Sequence, residues 1–208
     1  MRLIGQYDSP FVRRVGIAMM HYSMDYEHET WSTFRDADKL KAYNPLIRVP
    51  TLVLDDGTSL LDSAAIIDYL DNQVDAGKAL FARAEPLRHQ QLRIASLATG
   101  LADKAVSMFY EKVMHTEPSA DWLKRCANQI VGVLATLEAE RQNTRTTYWF
   151  GSEYTHADIA VTCALRFLGD AHGGLYNMGK FPALSTHAAT MEALSVFKLI
   201  AQEFVPPK

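Results

Sequence analysis

The stretch Asn44-Pro45-Leu46-Ile47-Arg48-Val49-Pro50-Thr51-Leu52-Val53-Leu54-Asp55-Asp56-Gly57-Thr58-Ser59-Leu60-Leu61-Asp62-Ser63 carries the decisive reading of this chain. Its centre is an antiparallel hairpin: two apolar runs, 51–54 and 58–61, joined by the turn Asp55-Asp56-Gly57. Its two ends are places where a backbone can take a ligand. A proline just before a strand is either an ordinary trans edge residue or a cis one, and only about 5–6% of X–Pro bonds in folded proteins are cis. A cis Val49–Pro50 bond exposes the Val49 N–H and C=O to a peptide, bound as an added strand. At the other end, Asp62 and Ser63 open a helix. The Ser63 hydroxyl and the adjacent N–H groups make a carboxylate site and Asp62 takes an ammonium group, matching an α-amino acid head group. A plain helix cap is the simpler reading of the same pair.

Working outward, Arg2 to Tyr7 is short, apolar and bounded by Asp8-Ser9-Pro10, which reads as a buried strand. Phe11 to Tyr22 places Phe11, Val15, Ala18 and Met19 at helical spacing. Tyr26 to Thr30 reads as a second strand and Asp36 to Tyr43 as a short helix. Beyond the hairpin, Ala64, Ile67 and Leu70 repeat with helical period through Asn72. The order strand, helix, strand, helix, strand, strand, helix resembles the thioredoxin-like arrangement. Ser9 then sits in the turn between the first strand and the first helix. A hydroxyl there lies beside helix N–H groups and the positive end of a helix dipole, a place to hold an anion, including a thiolate. Helix capping is again the plainer role.

Texture changes after residue 76. Residues 77–86 read as a linker, and everything from 87 to 208 reads as one all-helical domain. Leu87, Ile94, Ala98, Leu101, Ala105, Phe109 and Val113 mark a long amphipathic helix, and Leu123, Cys126, Ile130, Val133 and Leu137 an antiparallel partner. Residues 159–168 are apolar almost all round, as in a central buried helix. Two shorter helices follow Pro182. The fold class expected is therefore α/β, thioredoxin-like over 1–76, with an all-α bundle behind it.

Net charge is −3 and the 21 Lys and Arg are scattered, which argues against nucleic-acid or anionic-membrane surfaces. No apolar run has the length of a signal peptide core or a membrane span. Cys126 and Cys163, the two cysteines, read as reduced thiols, so the expected location is the cytoplasm. With no cysteine before Cys126, dithiol chemistry at the Ser9 turn is excluded. The seven histidines show no zinc-ligand spacing, and no metal is expected.

Taken together, Ser9-Pro10-Phe11, Asn44-Pro45 through Val49-Pro50, and Asp62-Ser63 resemble the glutathione site of the cytosolic glutathione S-transferases, specifically a serine-type, bacterial-like member. Thr155-His156-Ala157-Asp158 resembles the family's capping box in the second domain. The resemblance implies that Ser9 hydrogen-bonds the glutathione sulfur, that Val49 pairs its backbone with the cysteinyl unit, and that Pro50 is cis. It implies that Asp62 and Ser63 hold the γ-glutamyl head, that Arg48 reaches the glycine carboxylate, and that Asp103 leans across a homodimer interface toward the γ-glutamyl amine. A hydrophobic electrophile would lie between the domains, against Phe11, Val12, Met108 and Tyr110. Glutathione is the implied co-substrate, and the implied chemistry is conjugation to an electrophile or reduction of hydroperoxides. A non-catalytic binding or interaction module on the same fold is the alternative. Ile47 stands where many relatives have glycine. Tyr7 matches the position, but not the context, of the family's tyrosine-type enzymes, and is expected to pack beside the site.

Overall fold

A computed structural model describes residues 1–177 and 179–206 of the chain. The elements are β1 (Arg2–Ile4), α1 (Pro10–His21), β2 (Glu27–Glu29), α2 (Ala37–Lys41), β3 (Thr51–Val53), β4 (Ser59–Leu61), α3 (Ser63–Asn72), α4 (Leu87–Met114), α5 (Ala120–Asn143), α6 (His156–His172), α7 (Pro182–Glu192) and α8 (Ser195–Leu199). They form two compact units, one comprising Met1–Arg83 with the segment from Ser195 onward, the other Ala84–Leu194.

The first unit is a four-stranded sheet in the order β2-β1-β3-β4, with β1 parallel to β2 and antiparallel to β3. The parallel step is made by α1, the crossover that a β-α-β connection requires. The mixed sheet and its helices match the thioredoxin-like expectation. Leu3 and Leu52 of the sheet, Val15, Ala18 and Met19 of α1, and Ile66, Ile67 and Leu70 of α3 are fully buried, while Ile4 packs in a cluster with Leu40 and Val53.

The all-helical reading of 87–208 requires one correction. The segment from Ser195 onward belongs to the first unit, because α1 carries a buried cation that needs acceptors there. Arg13 donates from Nε to the carbonyl of Ile200 at 2.8 Å and from Nη2 to that of Phe197 at 3.0 Å. Those carbonyls close the end of α8, whose own helix leaves them unpaired. Residues 207 and 208, the end of the expected helical domain, lie outside the described residues.

In the second unit, α4 packs on α5 and α6. The α4 stripe is buried in its middle, at Ile94, Ala98, Leu101 and Ala105, while Leu87 and Val113 at its ends are exposed. The Thr155–Asp158 box is formed: Asp158 Oδ2 accepts the Thr155 amide at 2.8 Å, and Thr155 Oγ1 accepts the Ala157 amide at 3.2 Å. The other carboxylate oxygen of Asp158, Oδ1, accepts the Trp149 amide at 2.8 Å, so one side chain fixes both the start of α6 and the segment before it. Among the described residues, no helix is long and apolar enough to cross a membrane.

Candidate functional site

Register decides which loops meet. Ile4 pairs with Thr51, and Thr51 pairs with Leu61. These are the last residue of β1, the first of β3 and the last of β4. One row across the sheet therefore ends all three strands, and segments 5–9, 44–50 and 62–63 leave from the same edge. Gly5 tightens the junction at φ +131°, where an added Cβ would lie 2.5 Å from Val12 Cγ2 and 2.8 Å from Val49 Cβ. Only glycine combines that backbone with that closeness.

Ser9 is the N-cap of α1, followed by Pro10 in the first turn, and its Oγ accepts the Val12 amide at 3.4 Å. The capping reading thus holds. It leaves the chemical one intact, because a hydroxyl that accepts a bond keeps its proton to donate. Ser9 is half-buried at the positive end of the helix dipole.

Tyr7 is accounted for by other partners. β1 ends at Ile4, so Tyr7 lies beyond the strand rather than on a shared strand face with Ser9. Its hydroxyl bonds that of Tyr26 at 2.8 Å and its ring stacks on His28 at 3.9 Å. Burial, then the Tyr26 bond, pushes the phenol's pKa above its ordinary value. His28 in turn bonds the Gly5 carbonyl through Nε2 at 2.7 Å, and burial lowers its pKa.

Segment 44–50 is held by Asn44, a buried amide. Its Nδ2 donates to the Arg48 carbonyl at 2.8 Å and to Thr51 Oγ1 at 3.0 Å, while its Oδ1 accepts the Leu46 amide at 2.9 Å. Ile47 takes φ +51°, a left-handed conformation unusual for a β-branched residue. The loop therefore keeps a glycine-like turn without glycine. Ile47 packs against Ile4, Leu40 and Val53, and that contact opposes the strain. The Val49–Pro50 bond is cis. Among the described residues, the Val49 N–H and C=O make no hydrogen bond. Arg48 is exposed.

At the third segment, Asp62 caps α3 at φ +69°, its Oδ1 accepting the Ala64 amide at 2.8 Å. The helix-cap reading of this pair therefore holds, and the Ala64 N–H is already engaged. What remains is the Ser63 hydroxyl together with the Ser63 and Ala65 N–H groups, which first-turn positions leave without intrahelical partners. Ser63 Oγ accepts from Arg14 Nη1 at 3.3 Å. The sequence reading missed Arg14. Its signal was a pair of arginines inside a helix that is apolar on nearly every side, where a charge persists only with partners.

The residues expected to face an electrophile divide. Phe11 is half-buried and Tyr110 exposed, whereas Val12 is fully buried and Met108 nearly so. Val12 and Met108 are core positions, because each falls in phase with the buried face of its helix. Asp103 pairs with the adjacent Lys104 at 3.0 Å.

Comparison with known proteins finds one family over both parts of the chain. Residues 3–78 match the family described as glutathione S-transferase, N-terminal domain, and residues 120–189 its C-terminal domain. The uncharacterized GST-like protein YibF of Escherichia coli (strain K12) is 29% identical over 81% of this chain and 82% of its own length. The maleylacetoacetate isomerase of Pseudomonas aeruginosa is 32% identical over 48% of this chain and 49% of its own. A crystal structure of a glutathione S-transferase from Methylobacillus flagellatus with GSH bound superposes with a TM-score of 0.89, at 25% identity, covering 96% of this chain and 98% of that one.

Proposed function

Since this chain belongs to the glutathione S-transferase family, we propose that it is a glutathione-dependent enzyme that stabilises the thiolate of glutathione with Ser9 and joins it to a hydrophobic electrophile. One observation carries the reading. Three segments leaving one sheet edge offer an alcohol at a helix N-terminus, an unspent backbone N–H and C=O at Val49, and a hydroxyl at Ser63. That set is complementary to a tripeptide with an anionic sulfur and a carboxylate head. The Methylobacillus structure with GSH bound supports the same ligand.

In this reading Val49 pairs its backbone with the cysteinyl unit and Ser63 donates to the γ-glutamyl carboxylate. Asp62 takes the ammonium with the oxygen lone pairs its cap leaves over, and Arg48 reaches for the glycine carboxylate. A free thiol has a pKa near about 8.5, so only a few per cent is thiolate at neutral pH. Lowering it by about two units requires about 2.7 kcal/mol in favour of the charged form. A hydrogen bond to a charged group supplies about 1.5–3 kcal/mol, and the helix N-terminus about 0.3–1 kcal/mol. The two together suffice. Ser9 acts as a donor to sulfur and does not attack the substrate itself.

Binding and turnover test the reading in turn. Titration calorimetry with glutathione should show one saturable site. A panel of aryl halides, α,β-unsaturated carbonyls, organic hydroperoxides and maleylacetoacetate should then reveal turnover. Binding without turnover on any of them would favour the interaction-module alternative. Absence of binding would overturn the proposal.

A further inference from the structure

The proposed thiol site is built at the start of α1, and the same helix reaches the other end of the ligand through Arg14. We propose that Arg14 is a positioning residue for the γ-glutamyl carboxylate: its buried guanidinium engages the Ser63 oxygen and so commits the Ser63 proton to the ligand. This rests on the glutathione reading above.

A serine hydroxyl has one proton and two lone pairs, and free rotation lets that proton go to whichever acceptor is nearest. Near helix termini, nearby carbonyls compete for it. A guanidinium presents donors only. With Nη1 of Arg14 set 3.3 Å from Ser63 Oγ, the proton is turned away from α1. The same contact polarises the hydroxyl and strengthens it as a donor. Arg14 and Ser63 are both buried, at 3% and 5% exposed, and the proposed route from the guanidinium to a ligand runs through the serine oxygen it contacts. Engagement of the Ala64 amide by Asp62 makes this matter more, because it leaves one N–H fewer at that helix start to share the carboxylate with the Ser63 hydroxyl.

Lysine at position 14 keeps the charge but loses the rigid planar fork that fixes the contact. The measurement is titration calorimetry of glutathione and of 4-aminobutyryl-cysteinylglycine, which lacks only the γ-glutamyl carboxylate, with wild type, Arg14→Lys, Ser63→Ala and the double variant. Arg14→Lys should weaken glutathione binding about tenfold while leaving the analogue within about twofold. The double variant should bind glutathione no more weakly than Ser63→Ala alone. Equal weakening of both ligands, or additive effects of the two substitutions, would overturn the inference, because either marks a role in general folding. A crystal structure of the wild-type complex checks the same point without altering a buried arginine. Ser63 Oγ should touch the carboxylate while keeping Arg14, and a serine turned away from Arg14 would contradict the proposal. Failure of wild type to bind glutathione would overturn the underlying reading and this inference with it. Binding with an unchanged preference for the carboxylate in Arg14→Lys would overturn this inference alone.

Discussion

The hydroxyl oxygen of Ser9 accepts the amide of Val12 across the first turn of α1, at 3.4 Å. One side chain therefore serves the helix with its lone pair and is free to serve a ligand with its proton. The two roles come apart on substitution, because a replacement can supply a capping oxygen without an O–H to donate.

Ser9→Ala removes both. Loss of an N-cap of this kind destabilises by about 1 kcal/mol. Loss of a donor to a charged sulfur lowers kcat/KM at neutral pH by roughly ten- to a hundredfold. Denaturant unfolding reads the first and steady-state kinetics the second. Ser9→Asp keeps a capping oxygen but has no proton to donate, and should restore stability ahead of activity. Equal recovery of both would mean that the catalytic loss was only a folding defect.

Tyr7→Phe separates the two hydroxyls near the first turn. The Tyr7 oxygen is held by Tyr26 at 2.8 Å, so its removal should cost about 1 kcal/mol of stability and leave kcat nearly untouched. A loss of activity as large as that of Ser9→Ala would move the donor role to Tyr7.

Gly5→Ala is expected to be severe. The new methyl would sit 2.5 Å from Val12 and 2.8 Å from Val49 on a backbone at φ +131°. Overpacking and a disfavoured φ together should cost about 3 kcal/mol or more, and the shift should fall on the first turn of α1 and the Val49 segment. Thermal unfolding measures the first effect. Glutathione affinity of the surviving folded fraction measures the second.

Acid should destabilise the second unit through His187. Its ring is fully buried against Trp149, 3.6 Å from Asp158 Oδ1, and its nitrogens make no hydrogen bond among the described residues. Burial is the main cause that lowers its pKa; Arg141 adds to the lowering and Asp158 opposes it. The folded state thus keeps His187 neutral while the unfolded chain, titrating near about 6.5, takes up a proton. Stability from this source is intact above that value and falls as pH drops through it toward the lower folded pKa, by up to about 1.4 kcal/mol per pH unit. Unfolding free energy measured between pH 7 and pH 5 should fall less steeply in His187→Gln. Parallel slopes in the two proteins would show that His187 is not the source of the acid sensitivity.

Much of this was legible in the chain. The hairpin at 51–61, the α3 repeat and the Thr155–Asp158 box are local patterns, and local patterns are what periodicity and capping chemistry report. Sequence could not give the row Ile4–Thr51–Leu61, since register across a sheet is set by long-range pairing. Nor could it place Ser195 onward with the first unit, a result of two backbone carbonyls finding Arg13 some 187 and 184 positions away. Val12 and Met108 escape sequence reasoning for a related cause, because an apolar residue looks the same whether it lines a pocket or fills a core. Ile47 shows the converse: the turn expected of glycine is made by an isoleucine whose side chain is anchored in a neighbouring cluster.

The ultraviolet absorbance of thiolate, followed through a pH titration of the glutathione complex, reports the protonation of the bound sulfur directly. Wild type should titrate about two units below the free thiol, and Ser9→Ala should titrate back near the free value. Superimposable curves for the two proteins, with glutathione bound in both, would contradict the role given to Ser9.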